Sequence, residues 1–141
     1  MMKTIDHKKA AMDILRAKAL KVTPQRIALI NEISNAGHIS TDQIYKKMKN
    51  EFPSISAATI YKIIDIFLDK HILKEIRITA GKKRYELKKE PHAHYVCTIC
   101  GQISDLYLSS EDLLRQIRSK GYRPAGCEIY FYGSCPNCCD K

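Results

Sequence analysis

The residues best suited to chemistry are two cysteine pairs, Cys97-Thr98-Ile99-Cys100 and Cys135-Pro136-Asn137-Cys138, separated by 34 residues. Two such C-x-x-C knuckles supply four thiolates, the set that a closed tetrahedral structural zinc site requires. The competing chemistry for a C-x-x-C pair is dithiol redox exchange. Cys139 adjoins Cys138, and the dyad spacing favours Cys138 as the ligand; Cys127 reads as a core residue. A second constellation, His92-Ala93-His94, lies just before the first knuckle. On a strand, residues i and i+2 point to the same side, so both imidazoles can converge on one ion. Glu86 and Asp105 flank the pair as acidic partners. A mixed nitrogen and oxygen set without thiolate suits iron, manganese, zinc or nickel. Two sites of different softness imply one structural ion and one exchangeable ion.

The charge is unevenly placed. Up to Lys88 the chain has 18 Lys/Arg against 9 Asp/Glu, whereas from Lys89 onward it has 6 of each; no cysteine precedes Cys97. A basic module that faces a polyanion is thus joined to a neutral, cysteine-bearing one. With 141 residues, the chain suits two small domains with thin cores, the second of which needs a metal or partner. Apolar runs reach only about four residues, against the roughly 20 that span a bilayer, and the opening segment has no signal-peptide core. The expectation is a soluble, cytoplasmic protein with no membrane partner, in which cysteines bind metal rather than form disulfides.

Elements that position these residues can be read from caps and periodicity. A helix runs over His7–Leu20, and Thr23-Pro24 opens a second that ends near Gly37. Ser40 with Gln43 forms a capping box for a third, which Pro53 closes. Ser56 caps a fourth, whose apolar residues Ile60, Ile63, Ile64, Phe67 and Leu68 leave Thr59, Tyr61, Lys62 and Asp65 on or near the exposed side. Lys74–Thr79 and Arg84–Lys88 alternate as a hairpin with a basic turn at Ala80-Gly81-Lys82-Lys83. Helices followed by such a hairpin are the order of a winged helix. Lys89-Glu90-Pro91 is a linker, followed by strands at His94–Val96 and Gln102–Leu108. A helix capped by Ser109-Ser110 then reaches about Lys120, and a last strand spans Glu128–Tyr132. The fold class is therefore α+β: a winged-helix domain over 1–88, a hinge at 89–91 and an α/β domain with a four-cysteine zinc site over 92–141.

Taken together, these features resemble the Fur family of metal-dependent bacterial repressors over nearly the whole chain. The residues that carry the similarity are Leu20-Lys21-Val22-Thr23-Pro24-Gln25-Arg26, Ala58-Thr59-Ile60-Tyr61-Lys62, the run from His92 to Gly101, and Ile129 to Cys135 with the final knuckle. The resemblance implies a homodimer, joined through the second domain, that reads a pseudo-palindromic double-stranded DNA operator. It implies a regulatory site of His38, Glu86, His92, His94 and Asp105 holding Fe2+ or Mn2+, or Zn2+ in the purified protein. His38 enters only through this likeness. Base contacts would come from Thr59, Tyr61 and Lys62, with Lys18 or Lys21 in a minor groove.

Departures from the family pattern refine the expectation. A further metal site of some members would need ligands where this chain has Pro91, Ala93, Asp112 and Cys127, so that site is expected to be missing or crippled. Glu86 is the acid usual in iron sensors of the family, Asp105 the one more like its peroxide sensors, and no cysteine near Glu86 supports a zinc-uptake role. In the peroxide branch, bound ferrous iron reacts with peroxide, and the reaction oxidises its histidine ligands, here His38 and His92. A zinc hydrolase built on His92, His94 and an acid is the alternative from another class. No glutamate stands in a recognisable general-base position for it, and the basic module would be idle. A dithiol redox enzyme is a third reading. The expectation is a regulator rather than an enzyme, with no small-molecule substrate.

Overall fold

Helix α1 (His7–Ala17) buries Ala11 and Leu15. The pattern that extends to Leu20 is cut short because Ala19 takes a left-handed backbone (φ 56°) and the Leu20 N–H returns to the Leu15 carbonyl at 2.9 Å. Thr23 then accepts the Arg26 N–H on its side chain at 3.2 Å, and Pro24 opens α2 (Pro24–Ala36) where no N–H donor is needed. Gly37, at φ 76°, ends α2 with its N–H on the Ile33 carbonyl and turns the chain directly into strand β1 (Ile39–Ser40). Ser40 and Gln43 cap α3 (Thr41–Glu51) reciprocally, at 3.3 and 3.0 Å. Ser56 caps α4 (Ala57–Asp69).

These are elements of the computed structural model, which describes residues 7–76 and 83–139. The chain divides into two units between Lys88 and Lys89. In the first unit, β2 (Leu73–Ile76) and β3 (Arg84–Leu87) pair antiparallel, and β1 adds to the other side of β3 to give the order β1-β3-β2. The sequence reading anticipated only the hairpin. The turn proposed at Ala80–Lys82 lies outside the described residues. Phe67 and Ile64 of α4 are fully buried with Leu15, Leu29, Ile33, Ile44 and Met48, so every helix contributes to one core.

The second unit is built on β4 (Ala93–Cys97), flanked antiparallel by β5 (Ile103–Leu106) and parallel by β6 (Tyr130–Gly133), with α5 (Glu111–Ser119) between β5 and β6 in the chain. Four details differ from the sequence expectation, the first being the last strand, which spans Tyr130–Gly133 rather than Glu128–Tyr132. β5 stops at Leu106 because Leu108 N–H turns back to the Leu106 carbonyl at 3.2 Å, which takes Tyr107 and Leu108 out of the ladder. Ser110 occupies the helix N-cap without a side-chain bond, and it is the Ser109 hydroxyl that accepts the Glu111 N–H. Cys127 is exposed rather than in a core, since it lies in the irregular segment before β6. Among the described residues no helix is long and apolar enough to cross a membrane.

Buried burden in the first unit sets one expectation. Phe67→Ala should cost about 3–5 kcal/mol of stability and Ser40→Ala about 1 kcal/mol, measured by urea unfolding of the purified protein.

Candidate metal centres and DNA-binding face

The cysteine cluster follows from strand register. β4 and β6 pair so that Cys97 faces Gly133, two positions before Cys135, and the Thr98 N–H extends the ladder to the Gly133 carbonyl at 2.8 Å. Both knuckles therefore emerge at the same end of the sheet. The first turns tightly, with Gly101 (φ 76°) donating its N–H to the Cys97 carbonyl at 2.9 Å, and the second does so through Cys138 N–H to the Cys135 carbonyl at 2.9 Å. The Cys97 sulfur accepts the N–H groups of Cys100 and Cys135, each at 3.4 Å.

Ligand atoms of Cys97, Cys100, Cys135 and Cys138 lie within 4.8 Å of one another. The Cys100 and Cys135 sulfurs are 3.9 Å apart, close to the edge of a tetrahedron with zinc–sulfur bonds of about 2.3 Å. Backbone N–H groups, that of Cys100 first, lower the Cys97 thiol to about 6 against the opposing effect of burial. The Cys135 thiol, then burial, pushes Cys138 up to about 12. One sulfur thus favours the thiolate while a neighbour holds its proton, a conflict that a divalent cation resolves by accepting all four thiolates. Cys139 is outside this cluster and its thiol donates to the Pro136 carbonyl at 3.6 Å.

A separate group of nitrogen and oxygen ligands occupies the other end of β4. Register places His94 opposite Asp105 on β5, and His92 sits two residues before it on the same side. The Nε2 atoms of the two histidines approach to 3.1 Å, and Asp105 Oδ1 is 3.4 Å from His92 Nε2 and 3.6 Å from His94 Nε2. Because a carbonyl can only accept, His92 Nδ1 donates to the Glu90 carbonyl at 2.8 Å, leaving Nε2 with its lone pair in the neutral ring. Tyr130 stacks on the buried His94 ring at 5.2 Å, and Tyr107 lies 5.6 Å from His92. The other oxygen of Asp105 is held by Lys89. Three ligand atoms so arranged fit a first-row divalent ion.

In the first unit, His38 Nε2 and Glu86 Oε2 are 3.2 Å apart. The reason is β1: Ile39 pairs with Tyr85, which leaves His38 beside Glu86. A two-residue strand has no periodicity to detect, so spacing alone could not have brought this histidine to notice. On the same unit, Tyr61 is 53% exposed on α4 with Lys62 beside it. Thr59 is half-buried and its hydroxyl is engaged with that of Ser56 at 2.9 Å. Lys18 and Lys21 are exposed in the α1–α2 connection, whose path is held by Arg26 Nη1 on the Lys21 carbonyl at 3.0 Å.

The ferric uptake regulator family model matches residues 17–132. The chain belongs to the ferric uptake regulator family. It is 31% identical over 144 residues to the peroxide-responsive repressor PerR of Staphylococcus saprophyticus, covering 99% of this chain and 97% of the relative. The Campylobacter jejuni peroxide stress regulator superposes with a TM-score of 0.70 at 30% identity, covering 90% of this chain and 98% of that one. The Vibrio cholerae ferric uptake regulator gives 0.70 at 26% identity, covering 87% and 98%. As a Fur-family protein the chain is a metal-responsive transcriptional regulator, and the hydrolase and dithiol-enzyme readings are not favoured.

A divalent ion held by these four sulfurs would compete with protons for them. Metal retention against a fixed chelator concentration should fall as pH drops, and near about 6 the Cys97 thiolate itself takes up a proton. Zinc content measured by atomic absorption across the pH range checks this, and Cys100→Ser should release zinc at a higher pH than the unmodified chain.

Proposed function

We propose that the protein is a cytoplasmic, homodimeric repressor that binds a double-stranded DNA operator when Fe2+ or Mn2+ fills a site made by His38, Glu86, His92, His94 and Asp105. Structural Zn2+ would be held by Cys97, Cys100, Cys135 and Cys138. The reading rests on one observation above all: the ligands form two incomplete sets. His38 and Glu86 pair in the basic unit; His92, His94 and Asp105 converge in the other. Neither set alone satisfies the preference of such an ion for more ligands, so an ion that takes both fixes one unit against the other. Metal affinity and operator affinity are then linked, each raising the other.

Tyr61 and Lys62 would read base edges with Thr59 at the start of α4, while Lys18 or Lys21 enters a minor groove and other lysines of the first half neutralise phosphates. Dimerisation is supported by the second unit's uncovered apolar residues: Leu113 is 54% exposed and Ile117 42% on α5, and Phe131 is 41% exposed on β6. A helix with no buried residue at all needs a surface to cover it, and a second copy of the chain supplies one.

The signal we infer is peroxide, in keeping with the names of the similar proteins. Ferrous iron, when bound, supplies the reaction with peroxide. The chain's part is to hold the imidazoles of His38 and His92 where one of them takes up an oxygen atom and ceases to be a ligand. Glu86 supports a second reading, iron sensing, because by the resemblance it is the acid usual in iron sensors of the family.

Two measurements test the proposal. Operator affinity, read by fluorescence anisotropy, should rise with Mn2+ by at least about tenfold and lose that response in His92→Ala; an unchanged affinity would sink the clamp. Mass spectrometry of the ferrous protein after peroxide should find one added oxygen on His38 or His92, and its absence would favour iron sensing.

A further inference from the structure

The connector between the units takes part in the second ligand set. Glu90 supplies the carbonyl that fixes the His92 tautomer, and Lys89 places its ammonium on Asp105 Oδ2 while Oδ1 faces both histidines. The pair is partly shielded, Lys89 being 37% and Asp105 17% exposed at the side chain. Asp105 is therefore shared between a fixed cation of the chain and the position that the proposed regulatory ion would use.

We propose that Lys89 is a tethered competitor of the regulatory metal, a positioning residue that sets the concentration at which the sensor fills. It acts in two ways. With Oδ2 occupied, Asp105 can offer only Oδ1, which disfavours bidentate binding. The ammonium also repels any divalent ion on the other oxygen. Charges on the two oxygens of one carboxylate lie roughly 5 Å apart, and even at the permittivity of water a unit charge there weakens binding of a divalent ion by about tenfold. The inference rests on the regulatory-site reading given above, and it concerns affinity rather than the identity of the signal.

The test is titration of the zinc-loaded, full-length protein with Mn2+, followed by electron paramagnetic resonance of the free ion. Lys89→Gln should tighten binding about tenfold, and Lys89→Met, which keeps the alkyl stem, should do the same. Lys89→Arg should stay near the unmodified value because it retains the charge on Asp105. Lys88→Gln, which removes the same charge one residue away, should also leave the affinity near the starting value. Circular dichroism and zinc content report that each variant is folded. Equal or weaker Mn2+ binding in Lys89→Gln, or equal tightening in Lys88→Gln, overturns the role of Lys89 alone. Mn2+ binding that His92→Ala leaves intact overturns the regulatory site itself, and the competitor with it.

Discussion

The pairing of β4 on both edges is the constraint on which the second unit depends. With β5 it is antiparallel and sets His94 opposite Asp105; with β6 it is parallel and sets Cys97 opposite Gly133. One five-residue strand thus has candidate nitrogen and oxygen ligands at its start and candidate sulfur ligands at its end. A one-residue slip of β5 would turn Asp105 away from the histidines, and one of β6 would displace the second knuckle from the first. The core of this unit is thin, with few buried apolar side chains apart from Ala93, Val96 and Ile103, and the buried sulfurs of Cys97, Cys135 and Cys138 form a separate cluster.

The first unit rests on a different balance. Its core is continuous, built from buried residues of four helices and the sheet. That stability frees its surface for function: Tyr61 and Lys62 project from α4 on the side away from Ile60, Ile64 and Phe67. The same sheet has a second duty, because β1 on the edge of β3 sets His38 beside Glu86. A structural element and a candidate ligand pair are one feature.

Much of this was legible in the residues. Thr23-Pro24, the Ser40–Gln43 box and Ser56 marked three helix starts, because side-chain caps are local chemistry with fixed offsets. The two knuckles and the His92–His94 pair were equally visible, as short spacings that any local geometry would preserve. The failures were of another kind. Helix α1 ended early on a left-handed Ala19, β5 lost Tyr107 and Leu108 to a turn, and Cys127 lay on the surface, each a case where backbone conformation or packing overrode the residue's own preference.

By itself, the sequence determined the caps, the amphipathic faces, the basic character of the first half and the donor types of both candidate metal sets, since these depend on residues close together in the chain. Only the tertiary structure decided which distant residues meet. His38 joins Glu86 across 48 positions through a two-residue strand, Asp105 reaches the histidines through the β4–β5 register, and Lys89 of the connector settles on Asp105. Long-range pairings of this kind come from strand register, and register is a property of the assembled sheet rather than of any one segment.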